Sequence, residues 1–223
     1  MSGSAVLPGM TADAPPLPPC SRVMNRPARP GLPSSGIVTG LSCRTVCCAP
    51  FWQIEFATGA HGKPALSGQS CAVQDIQFSL SHSGAYAVVA VAAGRAVGVD
   101  VEVRRPDVDA LKLAERFFAA GEAQQIIQAQ GDAQQRLFYR SWTAKEAYLK
   151  GRGVGLSLGL DRFEILFDDG SPLAHVRMTD SGALDTNWQV QSLSLADDVS
   201  GALAVEGQAW QVRMCDSSTD LFR

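Results

Sequence analysis

Three short runs in the 223-residue chain carry polar side chains at spacings suited to chemistry. In Gly98-Val-Asp100-Val-Glu102, valines and carboxylates alternate, as in a strand whose side chains two apart share a face. Asp100 and Glu102 then stand side by side while Val99 and Val101 face a core. Like charges that close repel unless a cation intervenes. A hard divalent ion meets that need, Mg²⁺ in particular, because it takes one or two carboxylates together with phosphates and water. Arg104 and Arg105, next along the chain, meet it without any metal, as an exposed ion-pair cluster at the strand end.

The second run, Trp142-Thr-Ala-Lys145-Glu146-Ala-Tyr-Leu-Lys150, reads as helix. Steps of four residues advance about 400°, so Trp142, Glu146 and Lys150 fall on one slowly drifting stripe. Leu137, Ser141, Ala144 and Tyr148 form an adjacent, more apolar stripe suited to the core. Glu146 and Lys150 make an ordinary surface pair of roughly 0.2–0.5 kcal/mol. They can also wall a site, since a tryptophan on the same stripe is costly to leave in water. In the third run, Ser79-Leu-Ser81-His82-Ser83-Gly84, a histidine among hydroxyls at a strand end has its ring near solvent and backbone amides free for phosphate. A structural hydrogen bond is its plainer use. A hydrolase triad is disfavoured: no G-x-S-x-G elbow occurs, and neighbours on a strand point to opposite faces.

The elements that must hold these residues follow from periodicity. Alternation marks strands at 52–56, 76–80 and 96–103, with an apolar run at 85–92, and these read as antiparallel strands of one sheet. Thr58-Gly-Ala-His-Gly-Lys-Pro64 supplies a turn. Helices are expected over 109–118, 121–129 and 132–150, the last closed by Gly151 and Gly153. Strands return near 162–167, 173–178, 188–195, 202–205 and 210–214, so the order strand, helix, strand points to an α+β fold.

Eight of the 12 prolines precede Ser34, so residues 1–50 are expected to form an irregular arm without a long helix or inner strand. Its arginines, Arg22, Arg26, Arg29 and Arg44, read as a mobile basic tail. With 46% hydrophobic and 18% charged residues the remainder is an ordinary globular composition. A net charge of −3 argues against a nucleic-acid binder. No run of about 18 apolar residues and no export signal is visible, so a soluble cytoplasmic protein away from membranes is expected. Six cysteines, three of them crowded between Ser42 and Cys48, are too few for a disulfide scaffold and lack a second ligand pair for zinc. Reduced thiols are the simpler reading.

His61-Gly-Lys63-Pro64, Phe78-Ser-Leu-Ser81-His82-Ser, Gly98-Val-Asp100-Val-Glu102 and Trp142-Thr-Ala-Lys145-Glu146-Ala-Tyr-Leu-Lys150, in this order, resemble the 4′-phosphopantetheinyl transferases of the larger, surfactin-synthetase-activating type. The resemblance runs from about Trp52 to about Leu166 and takes in Gly151-Arg-Gly-Val-Gly-Leu-Ser157. It implies two pseudo-symmetric α+β subdomains with antiparallel sheets and packed helices, here a partial first subdomain at 51–103, a second at 104–215 and a tail at 216–223. The implied reaction is Mg²⁺-dependent transfer of 4′-phosphopantetheine from coenzyme A to a serine of an apo acyl, aryl or peptidyl carrier protein, releasing adenosine 3′,5′-bisphosphate.

By the same resemblance Asp100, Glu102 and Glu146 would hold the ion, and Lys150 would neutralise a phosphate oxygen. Glu146 would serve as base for the carrier serine, and Lys63 and Pro64 would line the adenine and 3′-phosphate pocket. Ser81 and His82 would reach phosphates, Trp142 would support the stripe, and Lys145 would be secondary. A monomer is expected from the internally paired halves. Two departures stand out: the proline-rich arm replaces an arginine-rich helical segment, and Ser79 replaces an asparagine. They leave room for a second reading, a catalytically inactive coenzyme A or carrier-protein binding module.

Overall fold

The computed structural model describes residues 34–39, 55–59, 62–67 and 76–216. The proline-rich stretch before Ser34, His61 and all cysteines but Cys215 lie outside them.

The alternation at 76–93 builds a hairpin, β4 Ile76–Ser83 and β5 Tyr86–Ala93, in which Ser81 opposes Val88 and Leu80 opposes Val89. Gly84, at φ 57°, lets the chain turn between them. β1 Ser34–Thr39 lies parallel to β5 and antiparallel to β11 Val212–Asp216, giving a four-stranded sheet ordered β11-β1-β5-β4. An inner strand therefore occurs within the stretch expected to be irregular. It begins directly after Pro33, where every following residue has a backbone donor for the ladder. β2 Glu55–Thr58 and β3 Pro64–Ser67 pair as a separate hairpin around the expected turn.

β6 Val97–Val103 does not join the β4–β5 sheet. It is the edge of a second, five-stranded antiparallel sheet ordered β6-β10-β9-β8-β7, with β7 Phe163–Phe167, β8 Leu173–Met178, β9 Trp188–Ala196 and β10 Val199–Glu206. The single sheet expected through residue 103 is thus divided among three. Val97, Val99 and Val101 are fully buried and share one core cluster with Val88, Ala90 and Ala92 of β5 and with Leu203, the partner of Val99 on β10. Burying the valine face between layers removes more apolar surface than edge pairing would.

Helices α1 Ala110–Phe117, α2 Ala120–Gln128 and α3 Asp132–Arg152 close the other side of the second sheet, within two residues of their expected bounds at every end. Asp109 caps α1 by accepting from the Lys112 amide at 3.0 Å. Gly153, left-handed at φ 66°, ends α3, whereas Gly151, expected as a terminator, lies inside the helix. Its purpose is close approach. A Cβ on Gly98 would sit 2.0 Å from the Ala147 carbonyl oxygen and 2.2 Å from the Gly151 nitrogen, and a Cβ on Gly151 would sit 2.5 Å from a Trp188 ring carbon. The two glycines let α3 lie backbone against backbone on β6, which sets its last two turns beside Asp100. Among the described residues no helix is long and apolar enough to cross a membrane.

Candidate active site

From Ser141 to Gly151 every residue of α3 is buried except Trp142, Glu146 and Lys150. The stripe expected from the helical period is the one strip left open, and it faces the acidic side of β6. Leu80, Ser81, His82, Asp100, Glu102, Trp142, Glu146 and Lys150 line one open cleft of about 330 Å³. Trp142 is held there by Phe138 and Phe118, at ring separations of 5.8 and 6.1 Å.

At the cleft floor Asp100 is 3% exposed. Its Oδ1 accepts from Lys150 Nζ at 2.7 Å and from Ser81 Oγ at 2.8 Å. Lys150 Nζ also donates to Ser81 Oγ at 3.0 Å, which closes a triangle. Oδ2 of Asp100 is buried and, among the described residues, makes no hydrogen bond. Burial pushes the Asp100 carboxyl up from its ordinary range, with Glu102 adding to the rise, while Lys150 and Ser81 pull the other way. Glu146 is raised as well, by burial first and then by the charges of Asp100 and Glu102, against the pull of Lys150. The cation on the strand acid is therefore Lys150, from the helix. Among the described residues no ion pair joins Arg104 or Arg105 to Asp100 or Glu102. Arg104 instead bonds the Asp197 and Asp198 carbonyls, and the Arg105 amide donates to the Tyr139 hydroxyl at 3.2 Å.

Ser81 and His82 lie within the β4–β5 pairing rather than beyond a strand end, and because β4 is the edge of its sheet every second amide along it faces away from β5. His82 is exposed at the cleft rim, whereas Ser81 is buried and committed to Asp100 and Lys150. Lys63 and Pro64 are not brought to this cleft. Lys63 Nζ donates to the Val97 and Gly151 carbonyls at 3.0 and 2.9 Å, bracing the start of β6 against the end of α3, and burial lowers its pKa. Pro64 is exposed at the start of β3.

Lys145, expected to be secondary, is fully buried and holds Glu122 Oε2 at 2.6 Å, with Glu122 itself 5% exposed. Its ammonium also donates to the Leu160 carbonyl at 2.8 Å and to that of Phe163, and it lies 4.3 Å from the Phe163 ring centre. The other Glu122 oxygen accepts from the Ile165 amide at 2.8 Å. This knot ties α2, α3 and β7 together directly behind Glu146. Glu122 gave no signal in the sequence, since its partner lies 23 positions away across a turn.

The profile of the ACPS, or 4′-phosphopantetheinyl transferase, superfamily matches residues 96–206, the span holding β6, helices α1 to α3 and the rest of the second sheet. A putative 4′-phosphopantetheinyl transferase of Synechocystis sp. is 37% identical over 159 residues, 71% of this chain and 61% of that protein. The chain belongs to this superfamily. The 4′-phosphopantetheinyl transferase HetI of Nostoc sp. is 35% identical over 71% of this chain and 63% of its own, and Sfp of Bacillus subtilis is 36% identical over 52% and 50%. The chain spans about three fifths of the length of the first two relatives. Within this phosphopantetheinyl transferase fold the matched span contains Asp100, Glu102, Glu146 and Lys150 but neither Lys63 nor Ser81, so it covers the acidic half of the cleft and not the β4 wall.

Among the described residues no three His, Cys, Asp or Glu side chains stand close enough to cage a metal ion as they are now turned. The donor set nevertheless suits a hard cation. Three carboxylates line one cleft, two of them raised by burial first and then by a neighbouring carboxylate, and a buried oxygen of Asp100 lacks a hydrogen-bond partner among the described residues. Glu146 is only half-buried, which leaves its carboxylate room to turn toward Asp100 and Glu102.

Proposed function

We propose that the chain transfers the 4′-phosphopantetheine arm of coenzyme A to a serine of an acyl, aryl or peptidyl carrier protein, with Mg²⁺ held by Asp100, Glu102 and Glu146. What carries the reading is the meeting of Asp100, Glu102, Glu146 and Lys150, from a strand and a distant helix, around one cleft in a chain of this superfamily. An inactive binding module has no need of three acids on one cleft.

The carrier serine oxygen attacks the phosphorus that bears the pantetheine arm, the bond to the adenosine bisphosphate oxygen breaks, and the serine proton passes to Glu146. Burial and the charges of Asp100 and Glu102 raise the Glu146 carboxyl while the cleft holds no cation, and with the ion bound Glu146 would take the proton through its oxygen off the ion or through a bound water. Bound to the three acids, Mg²⁺ would supply positive charge against the diphosphate as that bond breaks. Lys150 is poised between the acids and the cleft, where its ammonium can exchange Asp100 for a phosphate oxygen. His82 at the rim and Ser81 below it offer further phosphate contacts. Lys63 and Pro64 belong to the nucleotide end, where Lys63 would have to release a backbone carbonyl to reach a phosphate. The same reading has the chain working as a cytoplasmic monomer on carriers of secondary metabolism.

Incubation with a purified apo carrier, coenzyme A and Mg²⁺, followed by mass measurement of the carrier, tests the reaction. The carrier gains one phosphopantetheine if the proposal holds. An unchanged carrier under every divalent metal, together with retained coenzyme A binding, would favour the inactive module.

A further inference from the structure

Beside the acidic row of β6 runs a row of serines on β4 whose geometry repeats. Among the described residues β6 has a backbone partner, β10, on one side only, so the amides of its other edge need acceptors once they are covered. β4 supplies hydroxyls. The amides of Val99, Val101 and Val103 donate to Ser79 Oγ at 3.1 Å, Ser81 Oγ at 3.3 Å and Ser83 Oγ at 3.1 Å. A hydroxyl has a proton left to give after accepting, and two of the three spend it on the preceding β6 side chain. Ser81 donates to Asp100 Oδ1 and Ser83 to Glu102 Oε2, both at 2.8 Å. On the Ser79 rung the preceding residue is Gly98, so that rung caps the strand and holds no carboxylate.

We propose that Ser83 is a positioning residue for Glu102, fixing its carboxylate at the cleft wall, and that this role is separate from the strand capping all three serines share. The inference rests on Asp100, Glu102 and Glu146 being the ion site proposed above. A glutamate left to itself samples several rotamers, and each must be given up when it takes a ligand. One hydrogen bond from a hydroxyl that is itself anchored to the Val103 amide removes much of that freedom in advance. Ser81 cannot be separated in the same way, because it also touches Lys150.

Ser79 and Ser83 thus form a matched pair, one capping only and one capping and holding. In the full chain, amide hydrogen exchange and Mn²⁺ titration by calorimetry read the two roles apart. Ser79→Ala should speed exchange at Val99 and leave Mn²⁺ affinity as it is. Ser83→Ala should speed exchange at Val103 and weaken Mn²⁺ by about tenfold, and Ser83→Thr, which keeps the hydroxyl, should restore both. Wild-type protein that binds Mn²⁺ no better than its Ser83→Ala variant would overturn the role of Ser83. Wild-type protein that binds no Mn²⁺ at all would instead overturn the ion site on which it rests, while the Val103 exchange rates would still report the capping.

Discussion

Glu146 carries opposing demands. Its burial beside Asp100 and Glu102 makes it a stronger base and also a charge the fold would rather not hold. Glu146→Gln should therefore lower carrier modification by roughly 10²–10⁴-fold while leaving the melting temperature level or higher, as paired rate and thermal-unfolding measurements would show. The pH dependence follows from the same shifts. Asp100 and Glu146 both titrate above the usual carboxylate range when folded, so through that window the folded state keeps protons the unfolded chain has lost. Stability from these two groups then falls as pH rises from about 4 toward neutrality. Added Mg²⁺ should raise the melting temperature more at neutral pH than near pH 4, where protons compete for the same oxygens. Lys145 obeys a different rule, because its pair with Glu122 is dry. Lys145→Ala strands a buried carboxylate and should cost about 3–5 kcal/mol by denaturant titration, whereas the double variant Lys145→Met, Glu122→Leu should lose far less. That Asp100 and Glu102 share one strand face and Glu146 and Lys150 one helix stripe is legible from spacing, whereas their joint use came only with the family resemblance and their shared cleft only with the fold. The Glu122 partner was not legible, because nothing local relates a residue on α2 to one on α3.

At the scale of elements, periodicity placed the three helices and the later strands within a few residues, since each has one face in a core and one outside. It did not reveal that β6 leaves the β4–β5 sheet. Alternation states which residues face inward, yet not which neighbour lies beyond them, and the valines of β6 stack on β5 instead of pairing beside it. Nor did it show that Gly98 and Gly151 meet. Glycine in G-V-D-V-E reads as a weakness in a strand, whereas here it is the contact that lowers α3 onto β6. Gly98→Ala should push the helix away, costing about 1–3 kcal/mol of stability as overpacking does. It should also weaken Mn²⁺ binding, because Glu146 and Lys150 recede with the helix, and calorimetric unfolding and metal titration of the same variant check both.

At the scale of the molecule, two sheets and a helical layer share one purpose: to bring β6 and α3, about 40 residues apart in sequence, onto one cleft. The wall opposite α3 comes from β4 of the other sheet, so the cleft lies at the seam between layers, lined from both sides. That seam explains why the motifs made sense only in combination. A crystal of the chain grown with coenzyme A and Mn²⁺, read by anomalous scattering, tests the account most directly. The account predicts one strong peak within bonding distance of Asp100, Glu102 and Glu146 and of the coenzyme A diphosphate. A peak elsewhere, or a bound coenzyme A whose diphosphate lies away from these three carboxylates, would contradict it.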